Sequence, residues 1–235
     1  MREWLQDIPE QIVTDRLLIR PHRRGDGRAL HDAIIDSLAD LRRWPAAMGW
    51  SLTDPSAQGS EAFCRACSEA FSRRADFPLL ITLRDSGTIV GSSGLHRPDW
   101  SVPKLEIGWW GRSTYAKRGL ITEAVAAILE YGFVHLRARR VFALPDDQNS
   151  ASWRICERVG MNFEGRMSAR SLTARSGTPG FTPWSGDICF PSKPTSASAS
   201  HPCPKFGRSA PGGQVEGRLS SSRPASAGGA AAPAS

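Results

Sequence analysis

The stretch Lys104-Leu-Glu-Ile-Gly-Trp-Trp-Gly-Arg-Ser-Thr-Tyr-Ala-Lys-Arg-Gly-Leu-Ile-Thr-Glu-Ala124 passes from one periodicity to another. Its first seven residues have the character of a strand ending at Trp109-Trp110. Ile121, Val125, Ile128, Leu129, Gly132 and Leu136 then mark one face of a long helix from about Gly119 to His135. Between the two lies a basic loop bounded by Gly111 and Gly119. Strand, loop and helix N-terminus in this order predict a mixed α/β architecture.

Upstream, Pro78 to Arg84 and Thr88 to His96 flank Asp85-Ser-Gly87 and read as a hairpin. Gln11 to Arg20, carrying Ile12, Leu17, Leu18 and Ile19, reads as a first strand. Asp26 to Arg43 sets Leu30, Ile34, Leu38 and Leu41 on one helical stripe ended by Pro45. After Asp54-Pro55, the residues Phe63, Ala66, Cys67, Ala70 and Phe71 form the apolar face of a second helix. Downstream, Arg140 to Leu144 is a strand, Asn149-Ser150 caps a short helix that Gly160 terminates, and Met161 to Glu164 starts one more strand.

The 235 residues are 40% apolar and 23% charged, enough for one globular domain. No apolar run approaches the roughly 18–20 residues that span a bilayer, and the start lacks the basic-then-apolar plan of a secretion signal. The expectation is a cytoplasmic protein with no membrane partner. The formal charge of +7 is uneven, with +5 falling in residues 168–235 and +2 in the rest. A nearly balanced body argues against a nucleic-acid partner, which needs clustered cations on a shaped surface. Cys64, Cys67, Cys156, Cys189 and Cys203 are odd in number and irregularly spaced, so they read as thiols. Cys64 and Cys67 read as neighbours on a helix face; nothing completes a zinc site with them, and no metal is expected.

Composition divides the chain near residue 167. Of the last 68 residues, 43 are Ser, Ala, Gly or Pro and only seven are Leu, Ile, Val or Phe. So little apolar surface does not offset the entropy of ordering, and 168–235 is expected to be a disordered, low-complexity basic tail in which Phe181 to Phe190 is the one stretch able to dock. After Met167 no strand pattern returns, and the abrupt change looks like an out-of-frame reading of a GC-rich gene or a recent replacement. The domain expected is 1–167.

The loop Gly111 to Gly119 delivers the chain into a helix N-terminus, whose outward N–H groups beside Lys117 and Arg118 form an anion site suited to a pyrophosphate. Glu106-Ile-Gly-Trp-Trp110, Arg118-Gly-Leu-Ile-Thr-Glu-Ala124, and Asn149-Ser-Ala-Ser152 followed by Glu157-Arg-Val-Gly-Met161 occur in order. Together with Thr14-Asp-Arg-Leu-Leu-Ile-Arg20 and Ile89-Val-Gly-Ser-Ser-Gly-Leu95 they resemble the GNAT superfamily of acetyl-CoA-dependent N-acetyltransferases, in its RimJ/RimL-like branch, over residues 11–166.

The resemblance implies a GNAT-like, mostly antiparallel central sheet flanked by helices, with acetyl-CoA as co-substrate. The backbone of Ile107, Gly108 and Trp109 would splay from its neighbour and pair with the pantetheine arm. Tyr115, Ala116, Lys117, Arg118, Gly119 and Leu120 would hold the pyrophosphate, and Asn149 would contact the pantetheine side. Acyl transfer to an amine needs a base for the amine and an acid for the departing thiolate. Glu106 is the candidate base and Ser152 the candidate acid, with Tyr115 a further donor. His31, His96 and His135 lie on separate elements and are read as non-catalytic, although His96 is placed to face the acceptor cleft. The acceptor implied is a protein or peptide α-amine, with a small-molecule amine as the other class, and the protein a monomer or homodimer. A non-catalytic binding module with the same fold and a basic tail is the alternative.

Two departures from the family pattern stand out. Ile121 occupies a place where the phosphate loop usually has a small residue, and Ala116 removes one polar contact. Relatives also close the sheet with two more strands after the turn at Glu164-Gly165.

Overall fold

A computed structural model describes residues 3–45, 47–146, 148–167 and the backbone of 185–189. The elements follow one another as β1 (Ile12–Val13), β2 (Leu17–Pro21), α1 (Gly27–Ile35), α2 (Leu38–Leu41), α3 (Ala57–Ser72), β3 (Phe77–Leu83), β4 (Ile89–Asp99), β5 (Lys104–Gly111), α4 (Leu120–Val134), β6 (Arg140–Ala143), α5 (Ser150–Arg158), β7 (Asn162–Met167) and β8 (Ser185–Cys189). The sheet order is β1-β2-β3-β4-β5-β6-β8-β7, and every neighbouring pair is antiparallel except β5 and β6. The expected mixed, mostly antiparallel sheet flanked by helices is what forms.

Alternation along the central strands sorts residues to the two faces. Leu105 and Ile107 of β5 are buried with Val125, Ile128 and Leu129 of α4 on one face. On the other, Leu80 and Ile89 pack with Leu30, Ala33 and Ile34 of α1 and Cys64 of α3. The cysteines of α3 therefore serve as core side chains, and burial pushes the thiols of both Cys64 and Cys67 up to about 12.

Four expectations are corrected. Gln11 to Arg20 is a tight hairpin rather than one strand, because the hydroxyl oxygen of Thr14 accepts from the amide of Leu17 at 3.0 Å and turns the chain. The helix expected over Asp26 to Arg43 breaks into α1 and α2 where the Ser37 hydroxyl donates back to the Ala33 carbonyl at 2.8 Å. Phe63 is 52% exposed, and the buried stripe of α3 is instead Ser60, Cys64, Cys67 and Phe71. Finally, a strand does return after Met167: β8 lies between β6 and β7, with Cys189 opposite both Phe142 and Asn162. Ser185-Gly-Asp-Ile-Cys189 falls inside the stretch expected to dock. It has little alternation because its place is set by backbone pairing on both sides. The rest of the expected disordered tail lies outside the described residues.

Helices α1 and α3 touch at a glycine. A Cβ on Gly27 would lie 2.5–2.6 Å from Cα, Cβ and N of Glu61. The Glu61 carboxylate meanwhile accepts from the amides of Gly25 and Gly27 at 3.1 Å, closing the α1 N-terminus. Gly27→Ala is expected to lower stability by about 1–3 kcal/mol, since backbone must move to admit the methyl. Urea denaturation at neutral pH measures it, and an unchanged midpoint would refute the close approach.

Candidate active site

Strand β5 pairs with β4 along its length, but with β6 only from Lys104 to Glu106. Beyond Glu106 the two parallel strands part, as expected of Ile107 to Trp109. The Ser93 hydroxyl donates to the Gly108 carbonyl at 2.7 Å, marking that carbonyl as facing β4. By alternation, the N–H and C=O groups of Ile107 and Trp109 turn into the gap. A Cβ on Gly108 would meet nothing within 4 Å, so the strand is open on that side as well.

The carboxyl ends of β5 and β6 feed the loops that start α4 and α5, so both helix N-termini gather at the same end of the gap. Gly119 caps α4 with φ +75°, and Lys117 also has a positive φ of 61°. This conformation leaves the amides of Lys117, Arg118, Gly119 and Leu120 without a backbone acceptor among the described residues. The loop is held from several sides. Arg112 pairs with Asp36 at 2.5 Å, the Ser113 amide donates to the Ser37 hydroxyl at 3.0 Å, and Arg16 donates to the Arg118 carbonyl at 3.0 Å. Tyr115 lies beneath the guanidinium of Arg118, 4.9 Å from its ring centre.

Arg16 also grips Glu123 in the first turn of α4 at 2.6 Å, and the Thr14 hydroxyl donates to the same carboxylate at 2.5 Å. The opening Thr14-Asp-Arg16 motif thus fixes the entry of α4, and its hydrogen bonds outweigh partial burial to hold the Glu123 carboxyl below the usual range. The bulk of Ile121 is explained as well. It turns onto the sheet, where its side chain comes within 2.9 Å of the positions that Cβ atoms on Gly91 and Gly111 would take. Those two glycines make room for it, leaving the amides at the helix start uncovered.

At the start of α5 the Asn149 side-chain oxygen accepts from the Ser152 amide at 3.1 Å. Asn149 is therefore an N-cap whose amide NH2 is left to offer. The Ser152 hydroxyl makes no hydrogen bond among the described residues.

On the α1 and α3 side of β5 opens a cavity of about 630 Å³. Glu106, Gly108 and Trp109 line it with His96, whereas Ile107 is buried on the opposite face and Ser152 and Asn149 do not border it. His96 stands directly across the ladder from Glu106, so their side chains share one face. The Glu106 carboxylate pairs with Arg97. His96 Nδ1 bonds Asp76 at 2.7 Å, and the same carboxylate accepts from the Arg97 amide at 3.2 Å. Asp76 so pins a bulge in which Arg97 is held at φ 51°, a conformation costing about 1 kcal/mol. With Nδ1–H donated to Asp76, a neutral imidazole would present Nε2 as its acceptor nitrogen. His31 and His135 do not border the cavity.

Sequence reasoning missed His22, which is fully buried behind the cavity wall. Its Nε2 meets the Ser92 hydroxyl at 3.3 Å and its Nδ1 meets Cys64 Sγ at 3.7 Å, while Ser92 donates to the Leu79 carbonyl at 2.9 Å. Each donor has an acceptor only if His22 is neutral and carries its proton on Nε2. Burial, with help from nearby Arg20 and His96 and against Asp26, lowers its pKa from 6.5 to about 4. The unfolded chain then takes up this proton first as pH falls. The His22 contribution is complete above about pH 6.5 and is lost towards pH 4, by about 3 kcal/mol in all. Urea unfolding of the protein and of His22→Gln should show a steeper acid loss in the former, and parallel profiles would refute it.

Residues 16–162 match the acetyltransferase (GNAT) domain family. The chain is 30% identical over 154 residues to the uncharacterized N-acetyltransferase YnaD of Bacillus subtilis (strain 168), spanning 66% of this chain and 84% of that one. Among solved structures, the microcin C7 self-immunity acetyltransferase MccE, in complex with acetyl-CoA and AMP, superposes with TM-score 0.67 at 18% identity over 79% of this chain and 98% of its own. The ribosomal L7/L12 α-N-protein acetyltransferase RimL, in complex with coenzyme A, gives TM-score 0.66 at 16% identity over 78% and 98%.

Proposed function

The chain belongs to the GNAT acetyltransferase family, and on that premise we propose that it transfers the acetyl group of acetyl-CoA to a primary amine, the α-amine of a protein or peptide, by direct attack in a ternary complex. The observation that carries this reading is the gap between β5 and β6. Unpaired peptide groups of Ile107 and Trp109 border it, uncovered amides at the start of α4 stand at its end, and the Glu106 cavity opens beside it. RimL, by its name a protein α-N-acetyltransferase, supports the choice of an α-amine.

The residues present fit this co-substrate. Tyr115 to Leu120 form a cationic turn whose amides suit a pyrophosphate, and Gly108 leaves an opening beside the strand that any side chain would narrow. Acetyl-CoA, when bound, supplies the activated thioester. Ile107, Trp109 and the Asn149 amide hold the pantetheine arm along the gap. Glu106 accepts the proton that the attacking amine must lose, directly or through a water. The Ser152 hydroxyl, on the helix that starts at the end of the gap, donates to the leaving sulfur. Titrating the full chain with acetyl-CoA by calorimetry, and following acetylation of an N-terminal peptide library by mass spectrometry, tests the reading. Saturable binding with acetyl incorporation at α-amines is expected, and a folded chain that binds no acetyl-CoA would overturn it.

A further inference from the structure

We infer that the acceptor amine carries a bulky aromatic or apolar group, which the cavity beside Glu106 holds while the amino group sits at its Glu106–His96 edge. The inference rests on the transferase reading and adds a substrate class to it.

Three rings form the walls, those of Trp50, Phe63 and Trp110, while the Trp109 ring packs with the core on the opposite face of β5. Trp50 and Trp110 meet with ring centres 6.2 Å apart at 54°, making an aromatic corner. Phe63 and Trp50 remain 52% and 47% exposed. These large apolar side chains line the cavity without being covered by the protein, and a flat apolar group entering beside them removes their surface from water.

The polar groups narrow the choice. The Ser92 and Ser93 hydroxyls already donate to the Leu79 and Gly108 carbonyls. Glu106 and Asp54 are the carboxylates in the lining, Asp54 with its side chain 94% exposed and paired with Arg42 at 2.6 Å, and no lysine or arginine lines it among the described residues. That balance admits one ammonium group and disfavours an anion. A polyamine has no flat apolar surface to set against the rings, so it removes less of their area from water than an aromatic group does. The volume of about 630 Å³ lies within the range of small-ligand pockets.

The test is a panel of acceptors assayed with the full chain at saturating acetyl-CoA. It compares 2-phenylethylamine and a tripeptide beginning with phenylalanine against a tripeptide beginning with serine and against putrescine. The aromatic acceptors are expected to exceed the other two by about tenfold or more in kcat/KM, the worth of one well-buried aromatic contact. The two aromatic arms separate a free amine from a peptide end. Phe63→Ala and Trp50→Ala should each raise KM for the aromatic acceptor about tenfold with kcat kept, and their melting temperatures check the fold. Equal rates across the panel, or preference for serine or putrescine, overturn the inference. Binding of 2-phenylethylamine is followed separately by tryptophan fluorescence without co-substrate. Such binding in a chain that binds no acetyl-CoA would remove the transferase reading and keep the pocket's preference. Acetyl-CoA turnover without aromatic preference would do the reverse.

Discussion

Gly119→Glu is expected to raise the dissociation constant for acetyl-CoA by about 100-fold or more. Two effects add. Gly119 sits at φ +75°, where any residue with a Cβ is strained by about 1 kcal/mol, so the loop would relax away from the geometry that exposes its amides. The new carboxylate also stands at the N-terminus of α4, occupying by its own charge the place proposed for a pyrophosphate, and repulsion at a few ångströms adds about 1–4 kcal/mol. The helix itself tolerates an acidic residue there, so the protein should fold. Gly119→Ala isolates the backbone term and should cost only several-fold. Calorimetry on both variants measures the difference. An affinity for Gly119→Glu within threefold of the starting protein would place the phosphates elsewhere.

The second large effect concerns the proton. Glu106→Gln keeps the size and most hydrogen bonds of the side chain but removes its basicity, and kcat should fall about 10²–10³-fold while acetyl-CoA affinity is unchanged. The geometry supplies its own competitor. His96 stands opposite Glu106, bonded through Nδ1 to Asp76, and in its neutral form would present the other ring nitrogen as an acceptor. Arg97 meanwhile pairs with Glu106 and occupies part of its carboxylate. Parallel pH–rate profiles of Glu106→Gln and His96→Gln decide between them. If His96→Gln loses the rate and Glu106→Gln retains most of it, the imidazole is the base.

The elements with strong local signals were legible from the residues. The long apolar face of α4, the turn at Asp85-Ser-Gly87 and the cap at Asn149 each depend on neighbours a few positions away, and each forms where expected. The misses share another cause. Ser37 breaks a continuous helical stripe through a hydrogen bond to its own preceding turn, which periodicity does not register. Phe63 fits the helical spacing, yet it faces the cavity because Cys64, smaller and next in line, fills the narrow space against His22. The site divides in the same way. The loop before α4 and the opening at Gly108 follow from local glycines and a helix start. The opposition of His96 and Glu106 follows only from the register of β4 on β5. The Asp76–His96 pair joins residues 20 apart across a chain reversal, and no spacing rule announces it.

Strand β8 carries a consequence for how the molecule is made. It is the last described strand in sequence but an inner strand in the sheet, seated between β6 and β7. During synthesis, β6 must therefore wait with a bare hydrogen-bonding edge until residue 189 has emerged, while β7 has no place of its own in the sheet. Bare edges recruit whatever strand is nearest, including one from a second nascent chain. The interval between the emergence of β6 and that of β8 thus sets the window in which this protein is most exposed to mispairing.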